Sequence, residues 1–272
     1  MAAPTYRAAR CVVGRHGSHD TAPATRWEDG FRSGDGDCGL VMLGDPLAER
    51  LLLSGRRYPL PGSSTDQQGH RGVVIELDRA VLAPAADYRR EADFRTGEVT
   101  VHWTDVSGSW RSRAFVSRAD KVLVYDLVGP AIDLTVRLST SRPDPGPQAE
   151  TGGPGEVLLT IPGGATGPGA VTRLVAVDGP AHVDGAAAVV RGALRLVLLA
   201  ALDRSGQGPA LRRRLAALPI DYPRLLRRHV ALQAPAYERM ELGFGLPAGV
   251  MVGARAGRRC GGQPRETIRW AG

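Results

Sequence analysis

The sequence predicts an all-β fold, a large antiparallel β-sandwich (a supersandwich) followed by two linker helices. Apolar side chains alternate with polar ones over residues 98–103 and again over 132–138. A period of two places the apolar set on one face of each strand, as in antiparallel sheets with one solvated face. Turn residues, for example at 59–62, 129–130 and 143–155, separate about ten short runs of this kind, a spacing typical of two packed sheets.

The apolar period becomes helical after residue 208. Leu211, Leu215 and Leu218 are three and four residues apart, which predicts one helix. Asp221 is a suitable N-cap for a second helix, with Pro223 in its first turn. The apolar residues of this second helix fall close to one stripe: Leu225, Leu226, Val230, Tyr237 and Met240. We expect the sandwich to cover one side of this stripe and to leave apolar surface exposed.

These patterns predict four regions. A flexible N-terminus occupies residues 1–24, the sandwich 25–204, a helical linker 205–245 and a disordered basic tail 246–272. The tail is assigned as disordered because it is rich in glycine and has no apolar period.

Composition and charge exclude several classes of function. The net charge is +7, but 12 arginines and only 4 acidic residues lie in 209–272. The chain has one lysine, Lys121, and no asparagine, a bias typical of a GC-rich gene, so we expect a solvated tail and no nucleic-acid partner. Neither a run of 18 apolar residues nor the apolar region of a signal peptide is present, which predicts a cytoplasmic protein without membrane contact.

The candidate metal ligands are sparse. Cys11, Cys38 and Cys260 lie far apart, so neither a disulfide framework nor a zinc site is expected. We expect no cofactor and no metal.

Three segments carry a resemblance to a known family. The first begins at Trp27 and contains the glycine turn GDGDCG at 34–39, a short apolar strand, and ERLLL at 49–53. The second contains DYRREADFRTG at 87–97 and RAFVSRADKV at 113–122. A third, weaker segment contains His229-Val230 and YERMELG at 237–243. Together they resemble the N-terminal domain of glycoside hydrolase family 95, the α-L-fucosidase and α-galactosidase family.

The resemblance implies a glycoside hydrolase activity that we do not expect this chain to have by itself. Family members remove terminal α-L-fucosyl or α-L-galactosyl residues by inversion, without a metal, and their catalytic carboxylates belong to an (α/α)6 barrel of several hundred residues. Such a barrel does not fit after residue 245, so we expect no catalytic residue here and no hydrolysis by this chain alone. The stretch between Leu60 and Val73 is also much shorter than in the family.

Trp27, Asp35 and Ser54 are the candidate contacts with a substrate or a partner domain. Asp35 and Ser54 stand where the family has asparagine, and a carboxylate only accepts hydrogen bonds whereas an amide also donates. Asp35 and Asp37 form a close carboxylate pair, for which we expect turn capping rather than catalysis. The other tryptophans of the sandwich, Trp103 and Trp110, are expected in its core.

Two isolated features are expected to have no chemical role. The run Gly17-Ser18-His19-Asp20 contains the residue types of a catalytic triad, but triads assemble from separate elements. His229 is expected to pack along its helix.

Three functions remain open. The first is an N-terminal accessory domain of an α-L-fucosidase-like glycoside hydrolase, with a catalytic barrel supplied in trans as partner. The second is a stand-alone carbohydrate-binding sandwich that binds a fucose- or galactose-containing glycan. The third is a truncated reading frame without a function.

Overall fold

The computed structural model describes residues 16–55, 72–80, 84–140, 146–163, 169–203 and 206–239. Within these residues there are fourteen strands and two α-helices. The strands are β1 (Gly17–Asp20), β2 (Phe31–Gly34), β3 (Cys38–Met42), β4 (Ala48–Gly55), β5 (Val73–Arg79), β6 (Ala86–Asp93), β7 (Glu98–Asp105), β8 (Gly108–Val116), β9 (Leu123–Thr140), β10 (Gln148–Thr151), β11 (Glu156–Ile161), β12 (Gly169–Val177), β13 (Ala181–Asp184) and β14 (Ala187–Asp203). A 3-10 helix (Trp27–Asp29) precedes β2, and α1 (Gly208–Ala217) and α2 (Tyr222–Glu238) follow β14. The predicted tail at 246–272 and the short stretch between Leu60 and Val73, apart from Gly72, lie outside the described residues.

The long strand β9 joins two branches of one antiparallel sheet. Its first half, residues 123–128, pairs with β8, and its second half, residues 134–140, pairs with β5. One branch continues from β8 through β7 and β6 to β1, and the other from β5 through β4 and β3 to β2. On its other edge β9 pairs with β14, which leads on to β12, β11 and β10.

β9 crosses from one branch of the sheet to the other at a point where the pairing of β9 and β14 is irregular. Gly129 and Pro130 separate the two halves of β9, and Pro130 has no N–H for the ladder. A Cβ on Gly129 would lie 2.0 Å from the Trp110 ring, so no side chain fits there. Opposite them, the register of β14 shifts on both sides of Ala193, next to Gly192 with a φ of +57°. Such irregularities bend paired strands.

The two branches face each other across the main hydrophobic core. Leu51 and Ile75 come from one branch, Trp103 and Tyr125 from the other, and all four are buried in one cluster. The Trp103 and Trp110 rings stack in this core with a centroid distance of 5.8 Å. The predicted all-β sandwich and the core position of both tryptophans are confirmed.

Both helices pack on the outer surface of the sheet. Asp221 Oδ1 accepts a hydrogen bond from Arg224 N at 3.0 Å, which confirms the predicted N-cap of α2. A second core joins the helices to β8, β9, β12 and β14; its members include Phe115, Val124, Val171, Val197, Leu199, Leu211, Leu215, Tyr222 and Leu225. The expectation of one solvated face is therefore wrong for these strands, because they are apolar on both faces.

The apolar stripe of α2 faces this second core. Leu225 is completely buried, Leu226 and Val230 are half-buried, and Tyr237 meets His16 edge-on at 5.7 Å. The expectation that the stripe would remain exposed is wrong for the described residues of α2. The outer face of the strands supplies the apolar surface that covers it.

Part of the expected flexible N-terminus is ordered. Residues 17–20 form β1, which pairs antiparallel with β6, and Phe94 N donates to His16 O at 2.8 Å. The edge of β6 offers unpaired backbone groups that an added strand satisfies, and Asp20 forms an ion pair with Arg90 at 2.9 Å. The triad-like residues of this run are thus in a ladder, not in a site.

The described residues fall within one compact unit, Met1–Glu241. No helix formed by the described residues has the length and apolar character needed to cross a membrane.

Candidate functional site

The glycine turn between β2 and β3 holds Asp35 in a buried position. Its Oδ1 accepts hydrogen bonds from Asp37 N at 2.8 Å and Cys38 N at 2.7 Å, and Asp35 itself is 6% exposed. Gly36 has a φ of +94°, which favours glycine. The predicted capping role of Asp35 is confirmed, and the carboxylate is used to close the turn.

The turn between β8 and β9 places a lysine beside this carboxylate. Ser117 Oγ donates to Asp120 Oδ2 at 2.9 Å and accepts from Asp120 N at 3.0 Å, which fixes the turn. Lys121 follows with a φ of +56°, and its Nζ lies 3.2 Å from Asp35 Oδ2. The single lysine of the chain thus neutralises a carboxylate whose side chain is 1% exposed.

His229 connects α2 to the same turn. Its Nδ1 accepts a hydrogen bond from Arg118 N at 3.0 Å, and its Nε2 lies 2.8 Å from Thr96 O, to which it donates in the neutral tautomer. The ring stacks on Phe115 with a centroid distance of 4.9 Å, and His229 is fully buried. Burial lowers the pKa of His229, and the nearby Arg118 charge acts in the same direction, against the hydrogen bond to Thr96.

Arg118 extends this arrangement to the glycine turn. Its Nε donates to Gln233 Oε1 of α2 and its Nη1 to Asp35 O at 3.4 Å. We call Asp35, Arg118, Lys121, His229 and Gln233 the Asp35 cluster. It joins β2–β3, β8–β9 and α2 at one end of the sandwich.

Ser33 is a further residue of this region that the sequence reasoning missed. Its Oγ donates to Gly97 O at 2.6 Å and accepts from Val116 N at 3.0 Å. A serine directly before a glycine turn was the only signal in the sequence, and the partners of its hydroxyl are 64 and 83 residues away.

Ser54 lies near the glycine turn on the neighbouring strand. It pairs with Gly39 of β3, which in turn pairs with Gly34 of β2. A Cβ on Gly39 would lie 3.1 Å from Ser54 Oγ, so the glycine makes room for that hydroxyl. Asp35 and Ser54 therefore share one end of β2–β4.

Trp27 lies apart from Asp35 and Ser54. It is half-buried in the 3-10 helix and packs against Val41, Leu52 and Val74, a small cluster on the outer face of β3–β5. The Arg32 guanidinium lies 5.9 Å from the centre of its ring. The structure thus brings Asp35 and Ser54 to one end of the sheet and places Trp27 on its outer face.

The side chains of the Asp35 cluster hold the local structure together through turn capping and ion pairs. Asp35 caps a turn and pairs with Lys121, and Asp120 is bonded to Ser117 and to Arg228 Nη2 at 2.8 Å. The contacts of both carboxylates thus fix the two turns and their neighbouring cationic side chains. Among the described residues, no group of three or more His, Cys, Asp or Glu side chains could hold a metal ion.

The fold and these contacts define the chain as an antiparallel β-sandwich domain with a helix pair fixed to its outer surface. No protein-family model matches the chain, and no curated protein matches it. Among solved structures it is similar to a putative kojibiose phosphorylase from human microbiome, with 11% sequence identity and a TM-score of 0.45. That match covers 75% of this chain and 35% of the other, so the chain spans about a third of that protein's length. At this level the similarity does not identify an activity.

Proposed function

We propose that this chain is the N-terminal β-sandwich domain of a family 95-type glycoside hydrolase, with an accessory and not a catalytic role. One observation carries the proposal. The three segments that resemble the family are separated by tens of residues in the sequence, yet Asp35, Lys121 and His229, one from each, meet in the Asp35 cluster.

The cluster also accounts for one departure from the family pattern. Asp35 stands where the family has asparagine, which adds a negative charge to a buried turn. A buried carboxylate requires a partner of opposite charge, and Lys121 Nζ supplies it at 3.2 Å. The departure is therefore compatible with the same local structure.

The proposed role is to support a catalytic barrel, encoded either with this domain or separately and bound in trans. The substrate class that goes with the proposal is a glycan with terminal α-L-fucosyl or α-L-galactosyl residues. The described domain would hold the barrel and contribute to the rim of its active site, while the acid and base come from the barrel.

The first test is an activity assay on the purified chain with aryl α-L-fucosides and α-galactosides. We expect no turnover above a buffer blank. Turnover that disappears in Asp35→Asn would overturn the accessory role, because it would place a catalytic carboxylate in this domain.

The second test looks for the barrel. Sequencing the DNA that follows the coding sequence should reveal a barrel of several hundred residues in the same or a neighbouring frame. Co-expression of the two should then give a complex that co-purifies and hydrolyses the substrate. A downstream region without such a frame would count against the proposal.

A second candidate is a stand-alone carbohydrate-binding module. It is favoured by the burial of the α2 stripe, since a domain made to dock on a barrel through that stripe would leave it exposed. Half-buried Trp27 is the proposed sugar contact. Calorimetric titration with fucosylated oligosaccharides should show heat that Trp27→Ala abolishes, whereas the accessory domain alone should show none.

A further inference from the structure

A small pocket lies between the two branches of the sheet, at the end where β3 leads into β4. Its polar lining comes from both branches, with Glu49 and Arg79 on one side and Trp103, Ser112 and Tyr125 on the other. The pocket has about 10 Å³ of space for a water-sized molecule. That is close to the minimum that one bound water requires.

Two hydrogen-bond donors in the pocket wall have no acceptor within the described part of the chain. Trp103 Nε1 and Arg79 Nη1 are both buried. The second terminal nitrogen of Arg79, Nη2, donates to Asp105 Oδ2 at 3.0 Å, and the guanidinium lies 4.0 Å from the centre of the Trp110 ring. The arginine is therefore fixed, and its unpaired nitrogen cannot turn away to solvent without losing these contacts.

The pocket is also lined by a hydrogen-bond acceptor, the Glu49 carboxyl group, which can accept further hydrogen bonds. Glu49 is 6% exposed, and its Oε1 accepts from Gly44 N and Arg50 N, each at 2.9 Å. An ionised carboxylate has about four acceptor positions and a protonated carboxyl keeps part of that capacity, so these two bonds do not saturate Glu49. Burial raises the pKa of Glu49 to about 8.

Buried polar groups are almost always paired, with protein atoms or with ordered water. Two donors and one acceptor on residues that line a water-sized space match the bonding capacity of a water molecule, which accepts two hydrogen bonds and donates two. We propose that this pocket binds one ordered water, which accepts from Trp103 Nε1 and Arg79 Nη1 and donates to the Glu49 carboxyl. This water would join the two branches of the sandwich, whichever function the domain serves.

A high-resolution crystal structure of the full chain tests the site directly. We expect one density peak within hydrogen-bond distance of the indole nitrogen, the Arg79 guanidinium and the Glu49 carboxyl. A pocket without density, or one filled by a larger molecule, would overturn the proposal.

A solution experiment gives an independent readout. The water should produce a long-lived nuclear Overhauser effect with the Trp103 indole proton, assigned by its loss in Trp103→Phe. Ser112→Val adds a methyl group to the pocket wall and should abolish this signal. Ser109→Val, on the same strand but exposed, should leave it unchanged. An indole proton without a water signal in the folded wild-type protein would contradict the proposal.

Discussion

Replacing His229 by glutamine removes the titratable ring that joins α2 to the sandwich and keeps a donor and an acceptor at that position. In the folded protein both ring nitrogens are occupied, because Nδ1 accepts from Arg118 N and Nε2 faces Thr96 O. A proton added to Nδ1 would therefore point at the Arg118 N–H. Protonation breaks one hydrogen bond and leaves buried donors facing each other.

The magnitude follows from this geometry. An unsatisfied buried donor costs about 1–3 kcal/mol, and each pKa unit corresponds to about 1.4 kcal/mol. Because the folded-state pKa of His229 is lowered, its neutral form contributes stability above the ordinary pKa of about 6.5. This contribution decreases as the pH falls below that value, down to the lowered folded-state pKa.

The assay is urea unfolding followed by circular dichroism at pH 7.5 and pH 5. Between these values the wild-type protein should lose about 1–2 kcal/mol more unfolding free energy than His229→Gln, because one proton over the roughly 1.5 pH units from 6.5 to 5 allows at most about 2 kcal/mol. Groups that titrate in both proteins cancel in this difference. His182→Gln, which removes an exposed imidazole on β13, should behave like the wild type. Equal losses in wild type and His229→Gln would refute the reasoning.

Three further predictions concern buried groups. Asp126→Asn should cost about 3–5 kcal/mol of unfolding free energy, because the fully buried Asp126 carboxylate pairs with two arginines. The control Glu150→Gln removes one partner of an exposed ion pair and should cost at most about 1 kcal/mol. Equal costs for the two variants would contradict this prediction. Leu225→Ala should cost about 2–5 kcal/mol in urea unfolding through the cavity it leaves, whereas Leu232→Ala, at a half-exposed site, should stay within about 0.5 kcal/mol. Since burial raises the pKa of Glu49 to about 8, folding retains a proton that the unfolded chain releases, so stability should fall as pH rises from about 4.5 to 8. Glu49→Gln should reduce this slope in thermal unfolding, and an unchanged slope would show that Glu49 is ionised in the folded state.

The elements of the sandwich could be predicted because their causes are local. Alternation over 98–103 reflects a strand buried on one face, and the burial of Val99, Val101 and Trp103 beside exposed His102 follows it. Asp221 and Pro223 act within one turn, so the start of α2 could also be predicted.

The second core could be predicted only in part from the sequence. Residues 196–201 are all buried, and an uninterrupted apolar run of this kind indicates a strand covered on both faces. The run does not say what covers the second face. Here α1 and α2 do, which turns the predicted linker into part of the domain's packing.

The Asp35 cluster could also be recognised only in the tertiary structure, because its members are far apart in the sequence. Sequence similarity indicated Asp35 but not its partner, because Lys121 is 86 positions away and a pairing at such a distance leaves no local pattern. The N-terminal strand is similar: residues 17–20 have little apolar character, and they are ordered by the open edge of β6.

The sequence by itself determined the strand and helix periods, the turns and the cap of α2, since each depends on residues within a few positions of one another. The tertiary structure decided how β9 divides between two branches, which faces the helices cover, and which charges meet in the interior. Those outcomes depend on contacts between residues far apart in the chain, whose energies become available only when the whole sandwich has closed.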